Sequence, residues 1–237
     1  MQTREYLKRY CWVYLYVAAF FLGCAGVVRH TVETVSSMQP FSGSPVIVID
    51  AGHGSPDGGA TGVSGTREDQ VNLEVAKRLE TLLALLGYET AMTRTGPDCI
   101  ASEGETIRQK KQSDLQNRVA LVNDLPSAVV VSIHQNHFPD SRYSGPQVFY
   151  GSGGGETLAQ AAQSALTAAL APGSKREAKA ASGIYLMERI NHPGILVECG
   201  FLSNPAEERK LSDPSHQKKI AAVLAAVVAE HIRSGIS

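Results

Sequence analysis

Three short apolar runs, Val46 to Ile49, Ala128 to Ile133 and Ile195 to Val197, are separated by long stretches patterned for helix. Runs of this length without alternation suit strands buried on both faces. Strands of that kind, alternating with helices, imply an α/β fold. The expected architecture is a three-layer sandwich in which a mostly parallel, mixed central sheet is flanked by helices. Between the first two runs, Val71, Val75, Leu79, Leu82, Leu83 and Leu86 fall on one helical face, and Gly87 supplies a stop. Glu89 to Thr93 reads as a strand. A polar stretch follows through Lys111, and Ser113 with Gln116 has the spacing of a capping box opening a helix in which Leu115, Val119 and Val122 share a face. Gly145 to Tyr150 and Ile184 to Met187 read as further strands. Glu156 to Leu170 and Gln217 to Ile232 read as helices.

The amino terminus has a different character. Cys11 to Val28 is an uncharged stretch of 18 residues preceded by Arg4, Lys8 and Arg9. That length is at the short end of a membrane-spanning helix, and the flanking basic residues favour a cytoplasmic start with the remainder outside. A cleaved signal peptide is the rival reading. No clean small-residue cleavage site follows, and Trp12, Tyr14 and Tyr16 make the run unusually aromatic, which favours an uncleaved anchor. Phe21-Leu22-Gly23-Cys24 has a faint likeness to a lipoprotein cleavage site. The expected organisation is a membrane anchor or signal segment over 1–30, a linker over 31–45 and a catalytic domain over 46–237. The net charge of -1 and the ordinary hydrophobic share of 43% argue against disorder and against nucleic-acid binding. Cys99 and Cys199, outside the apolar segment, form no CxxC pair, so a cysteine zinc site is not expected.

The apolar runs lead into His53, His134 and Glu198, three residues suited by type to metal binding or acid–base chemistry. Open α/β sheets bind ligands at the carboxyl ends of their strands. His53 also lies in a glycine-rich turn, GHGSPDGGA, whose glycines allow backbone shapes closed to other residues. Two imidazoles over a sheet offer neutral nitrogen ligands to zinc, and a carboxylate would complete the set. Glu68, Asp69 and Glu74 all lie where the glycine loop returns into the first helix. Glu68 is the best placed, since it precedes the regular helix, whereas Glu74 suits a solvated helical face. Strand alternation turns Cys199 away from Glu198 and makes it a packing residue. Asp50 or Asp57 is suited to orient a ligand histidine or to cap the turn. Arg94 and Asn136 suit substrate binding or local hydrogen bonding. His137 competes with His134 as a ligand, while His30, His192, His216 and His231 read as incidental.

The segments DAGHGSPDGGATG at 50–62, REDQVNLEVAKRL at 67–79, MTR at 92–94, DLQNRVALVN at 114–123, SIHQN at 132–136 and GILVECGFLSNPAEE at 194–208 occur in one order. Together they resemble the zinc-dependent N-acetylmuramoyl-L-alanine amidases of the Amidase_3 type, over residues 46–232. The resemblance implies Zn2+ held by His53, Glu68 and His134, with Glu198 catalytic, acting on peptidoglycan. Ala51 departs from a common proline, and Arg67 from a leucine or asparagine. The size, the apolar segment, the polar stretch at 103–118 and residues 175–205 are most like the germination-specific CwlD-like subgroup of endospore formers. That likeness implies work on spore cortex, where stem removal precedes muramic-δ-lactam formation, a catalytic domain outside the cytoplasm in the spore envelope, and a possible activating lipoprotein. A zinc endopeptidase cutting within the stem and a non-catalytic, membrane-tethered peptidoglycan-binding protein remain as alternatives.

Overall fold

The apolar runs become the middle of one six-stranded sheet. A computed structural model describes residues 43–235. The apolar segment at 11–28 and most of the linker lie outside the described residues, and among the described residues no helix is long and apolar enough to cross a membrane. The strands are β1 (Val46–Ala51), β2 (Thr90–Met92), β3 (Ala128–Asn136), β4 (Gln147–Tyr150), β5 (Lys179–Ala180) and β6 (Gly194–Phe201). The helices are α1 (Glu68–Leu85), α2 (Ile107–Asn123), α3 (Glu156–Leu170), α4 (Tyr185–Arg189), α5 (Pro205–Leu211) and α6 (Pro214–Ser234). The strand order is β2-β1-β3-β6-β4-β5. The first four strands in that order run parallel. β4 is antiparallel to β6 and parallel to β5, so the sheet is mixed.

Period-two alternation divides the core between the two faces of the sheet. Ile47, Ile49, Val129, Val131, Ile133, Ile195 and Val197 pack with buried residues of α1, α3 and α6. Val48, Val130 and Leu196 point the other way, against Val122 of α2 and Leu186 and Met187 of α4. Each such side chain, when fully buried, contributes about 1.5–3 kcal/mol of transfer free energy. Cys199 packs in the first of these clusters, as alternation requires, and both Cys99 and Cys199 are free thiols.

Several elements differ from the sequence expectation. β3 and β6 run past the apolar residues, so His134 and Glu198 lie within strands and are register partners. Glu68 is the first residue of α1 and does not precede the helix. α2 begins at Ile107, six residues before the expected Ser113: Thr106 caps it, accepting from the Gln109 amide, while Gln109 reaches back to the Thr106 amide. The last residues of the polar stretch, 107–111, are its solvated first turns. Ile184 to Met187, expected as a strand, leads into α4. There Leu186, Met187 and Ile190 are buried at helical spacing, which lets one turn seal the β3–β6 face. α5 was not anticipated. Asn204 caps it through the amides of Ala206 and Glu207, and Pro205 opens it.

Candidate metal centre and active site

β1, β3 and β6 are adjacent and parallel, so they deliver His53, His134 and Glu198 to one end of the sheet. His53 follows Gly52 with a backbone φ of 61°, a left-handed conformation uncommon outside glycine. Its ring stands edge-on to that of His134, with centroids 5.1 Å apart. Gly52 is required at this crossing because a Cβ there would lie 2.3 Å from the His134 ring.

Glu68 reaches back from the first turn of α1 and lies between the two imidazoles. Its Oε1 is 3.2 Å from His53 Nε2 and 3.1 Å from His134 Nδ1. Backbone amides hold the carboxylate: Ala60 N–H donates to Oε2 at 2.8 Å and Gln135 N–H to Oε1 at 3.1 Å. Asn72, one turn along α1 and fully buried, donates to the Gly52 carbonyl at 3.1 Å and accepts from Gln135 Nε2 at 3.0 Å. One ligand atom from each of His53, Glu68 and His134 lies within 4.8 Å of the others. Tetrahedral ligands at zinc distances are about 3.3 Å apart, so the separations of 3.2 Å and 3.1 Å fit a single ion.

The local electrostatics also suit a cation. Burial pulls the His53 imidazole down, but Asp57 and Glu68 outweigh it and raise it to about 9. Burial pushes Glu68 up, but His134 and His53 outweigh it and hold the carboxyl well below its ordinary range. Asp57 Oδ2 accepts from His53 Nδ1 at 3.0 Å and pairs with Lys111 at 2.9 Å, which leaves Nε2 facing Glu68. A carboxylate on the far nitrogen is the usual device that fixes a ligand imidazole.

Glu198 differs from every other carboxylate of the site. Its Oε2 is sealed from solvent and has no hydrogen-bond partner among the described residues. Burial pushes its pKa up to about 7, with His134 pulling against the rise and Glu68 adding to it. An orphaned buried carboxylate oxygen is costly and calls for a role. Glu198 lines a cavity of about 290 Å3 together with His53, His134 and Asp57, Lys111 and Leu115 of α2, and Ile184 and Tyr185.

The other sequence candidates separate clearly. Asp57 orients His53. Asp50 does not: it accepts from Ser132 Oγ and Thr93 Oγ1 and pairs with buried Arg118. Arg118 also donates to the carbonyls of Ala51 at 2.8 Å and His53 at 2.6 Å and pairs with Asp114, so it holds the histidine loop from below. Arg94 is buried and spends its guanidinium on the carbonyls of Ala51, Gly52, Asp69 and Gly96. It is a brace and has no free donor face for substrate. His137 is exposed and outside the ligand group. Asn136 ends β3, and its carbonyl accepts from Leu202. His192 bonds the Leu125 carbonyl, His216 and His231 lie on α6, and His30 is outside the described residues. Glu74 is exposed and pairs with Arg78. Sequence reading missed Asn72, Lys111, Arg118 and Tyr185. Asn72 carried a signal, since it lies four residues after Glu68 on the same helical face.

Residues 47–230 match the family described as N-acetylmuramoyl-L-alanine amidase, of the Amidase_3 type. The chain belongs to this family. It is 40% identical over 185 residues to the germination-specific N-acetylmuramoyl-L-alanine amidase of Bacillus subtilis, covering 77% of each chain. Among solved structures it is similar to the CwlD amidase of Clostridioides difficile in complex with the GerS lipoprotein. The TM-score there is 0.76 at 32% identity, over 80% of this chain and 99% of that one. An N-acetylmuramoyl-L-alanine amidase from Clostridium difficile 630 superposes with a TM-score of 0.70 at 26% identity, over 81% and 98% of the two chains. This amidase therefore shares both sequence and fold with its relatives over almost all of its described residues.

Proposed function

We propose that this amidase hydrolyses the bond between the lactyl group of N-acetylmuramic acid and L-alanine of the stem peptide, using Zn2+ held by His53, Glu68 and His134, with Glu198 as proton carrier. The observation that carries the reading is the sealed, unpartnered Oε2 of Glu198 beside the three-residue ligand group. Zinc bound there supplies a Lewis acid for the scissile carbonyl and lowers the pKa of water. Glu198 takes a proton from the attacking water and returns it to the leaving amine of L-alanine. A carboxyl with a pKa near 7 suits both transfers. Asp57 keeps His53 in register through Nδ1, and Ile184 and Tyr185 wall the cavity in which the amide would lie.

The biological setting we propose is spore cortex maturation, on the likeness to germination-specific relatives. The catalytic domain would then work outside the cytoplasm, in the spore envelope, tethered by the apolar segment near the amino terminus. A lipoprotein is the partner to test, because the similar CwlD amidase was solved with one.

Purified cortex peptidoglycan digested by the zinc-loaded full chain should release peptides that begin with L-alanine. Glu198→Gln should keep its zinc and lose turnover by about 10^2–10^4-fold, the usual contribution of a positioned acid–base group. Release of those peptides by the variant at the parent rate would sink the assignment of Glu198. Products cut between stem residues would sink the substrate assignment.

A further inference from the structure

A second, larger depression of about 750 Å3 runs along α3 and the loop that follows it, lined by Gln160, Gln163, Thr167, Ser174 and Arg176. It opens at the same end of the sheet as the metal centre. β4 runs opposite to β6, so α3 starts at the far end and returns the chain to the end bearing Glu198. There the loop meets the one before β4: a Cβ on Gly145 would stand 3.2 Å from Ala171 Cβ.

From this loop Arg176 turns inward. Its Cζ lies 5.1 Å from the centroid of the Phe201 ring, and its Nη1 donates to Gln147 Oε1 at 3.4 Å. Gln147 is the register partner of Glu198 on the neighbouring strand. The guanidinium is therefore anchored beside the strand position next to the catalytic glutamate, at a strand spacing of about 4.8 Å plus the reach of one side chain. Arg176 is half-buried, and none of the ion pairs among the described residues involves it. A guanidinium has five N–H donors, and the side-chain hydrogen bonds use one of them here. Stacking on an aromatic ring fixes its plane while leaving its edge for a partner. The ring beneath is buried, its backbone N–H donates to Glu207, and the Tyr143 ring lies 6.1 Å from it between centroids.

An arginine held this way is built for a carboxylate, which it can take in two parallel hydrogen bonds. We propose that Arg176 forms an anionic subsite that grips a free carboxylate of the stem peptide on the leaving-group side of the cleft. The inference rests on the amidase reading of the centre. The leaving peptide begins at L-alanine, and stem peptides carry carboxylates on the residues that follow. Extended residues advance about 3.5 Å each, so a few of them cover one strand spacing plus the reach of a side chain. Arg176 is thereby a specificity residue that favours stems with free carboxylates over amidated ones.

Calorimetric titration of the zinc-loaded full chain carrying Glu198→Gln tests this without turnover. The probes are a synthetic acidic stem tetrapeptide beginning with L-alanine and the same peptide with every carboxylate amidated. The acidic peptide should bind about tenfold more tightly, as expected for a charge-assisted pair at a half-exposed site. Adding Arg176→Ala should abolish that preference, and Arg176→Lys should keep part of it. Should Arg176→Ala fail to fold, Arg176→Gln, which keeps a hydrogen-bonding side chain, makes the same comparison. Equal affinity for the two probes, no binding of either, or a preference that survives loss of the guanidinium would overturn the proposal. Turnover of peptidoglycan by the parent decides the amidase reading separately: discrimination without turnover keeps the subsite and rejects the amidase, and turnover without discrimination does the reverse.

Discussion

Replacing Arg118 with methionine keeps much of its volume and removes one charge from beneath the histidine loop. Arg118 is 2% exposed and holds the carboxylates of Asp50 and Asp114 and the carbonyls of Ala51 and His53. Asp50, 1% exposed, is brought from an ordinary value of 3.8 to about 2: burial pushes it up, and Arg118 leads the groups that outweigh that cost. That displacement alone corresponds to about 2 kcal/mol. Breaking a buried pair by deleting one partner costs about 3–5 kcal/mol, because the other charge stays buried. For a domain of this size the loss is about 6–20 °C in melting temperature. The pH dependence supplies a second check. Asp50 has a depressed folded pKa, so its contribution in the parent is complete above pH 3.8 and disappears only as the pH falls through about 2. Without the guanidinium, burial pushes the Asp50 carboxyl above its ordinary value, and acid relieves that penalty. The gap between parent and variant should therefore narrow from pH 7 to pH 4 in thermal denaturation followed by circular dichroism. A melting temperature within about 3 °C of the parent, or a gap that stays constant with pH, would refute the argument that this ion pair braces the loop.

Asp57→Asn should weaken zinc binding by about 10–100-fold while the fold survives, the usual cost of losing the carboxylate behind a ligand histidine; competition with a chelator measures it, and unchanged affinity would show that His53 needs no such support. Gly52→Ala should displace the His134 ring, since the added carbon has 2.3 Å of room, and zinc content per chain should fall with the far-ultraviolet spectrum intact. A fully zinc-loaded Gly52→Ala protein would mean that the ring moves aside freely.

The sheet was legible because its inner strands are apolar on both faces, a pattern that surface residues do not imitate. The candidate residues His53, His134 and Glu198 were legible because they lie at or shortly beyond the ends of those runs, whereas Glu68 opens α1 and carried only its place after the glycine loop. The start of α2 was hidden for a physical reason: its inward face carries Ser113, Asp114 and Arg118, so burial and hydrophobicity part company there. The same residues explain why Arg118 could not be recognised as a brace. A charged side chain in a polar-looking helix shows its partners only once Asp50 is brought to it from 68 positions away. Ile184 to Met187 was ambiguous because four apolar-rich residues satisfy a strand or a helical turn equally, and only packing against β3 and β6 decides. Arg94 belongs to the same class as Arg118: its acceptors are backbone carbonyls, which every sequence has.

Adjacent residues Glu207 and Glu208 of α5 hold different segments of the chain. Glu207 accepts from the amides of Gly145 and Phe201, and Glu208 from those of Ser64 and Thr66. Two loops distant in the chain are thus tied to neighbouring positions on one short helix. Their evolutionary freedom is correspondingly linked. Either loop can lengthen toward solvent, but a residue inserted between Glu207 and Glu208 would rotate one carboxylate about 100° from its loop. Variation in length should therefore accumulate at the loop tips, while the pair of glutamates stays fixed in spacing.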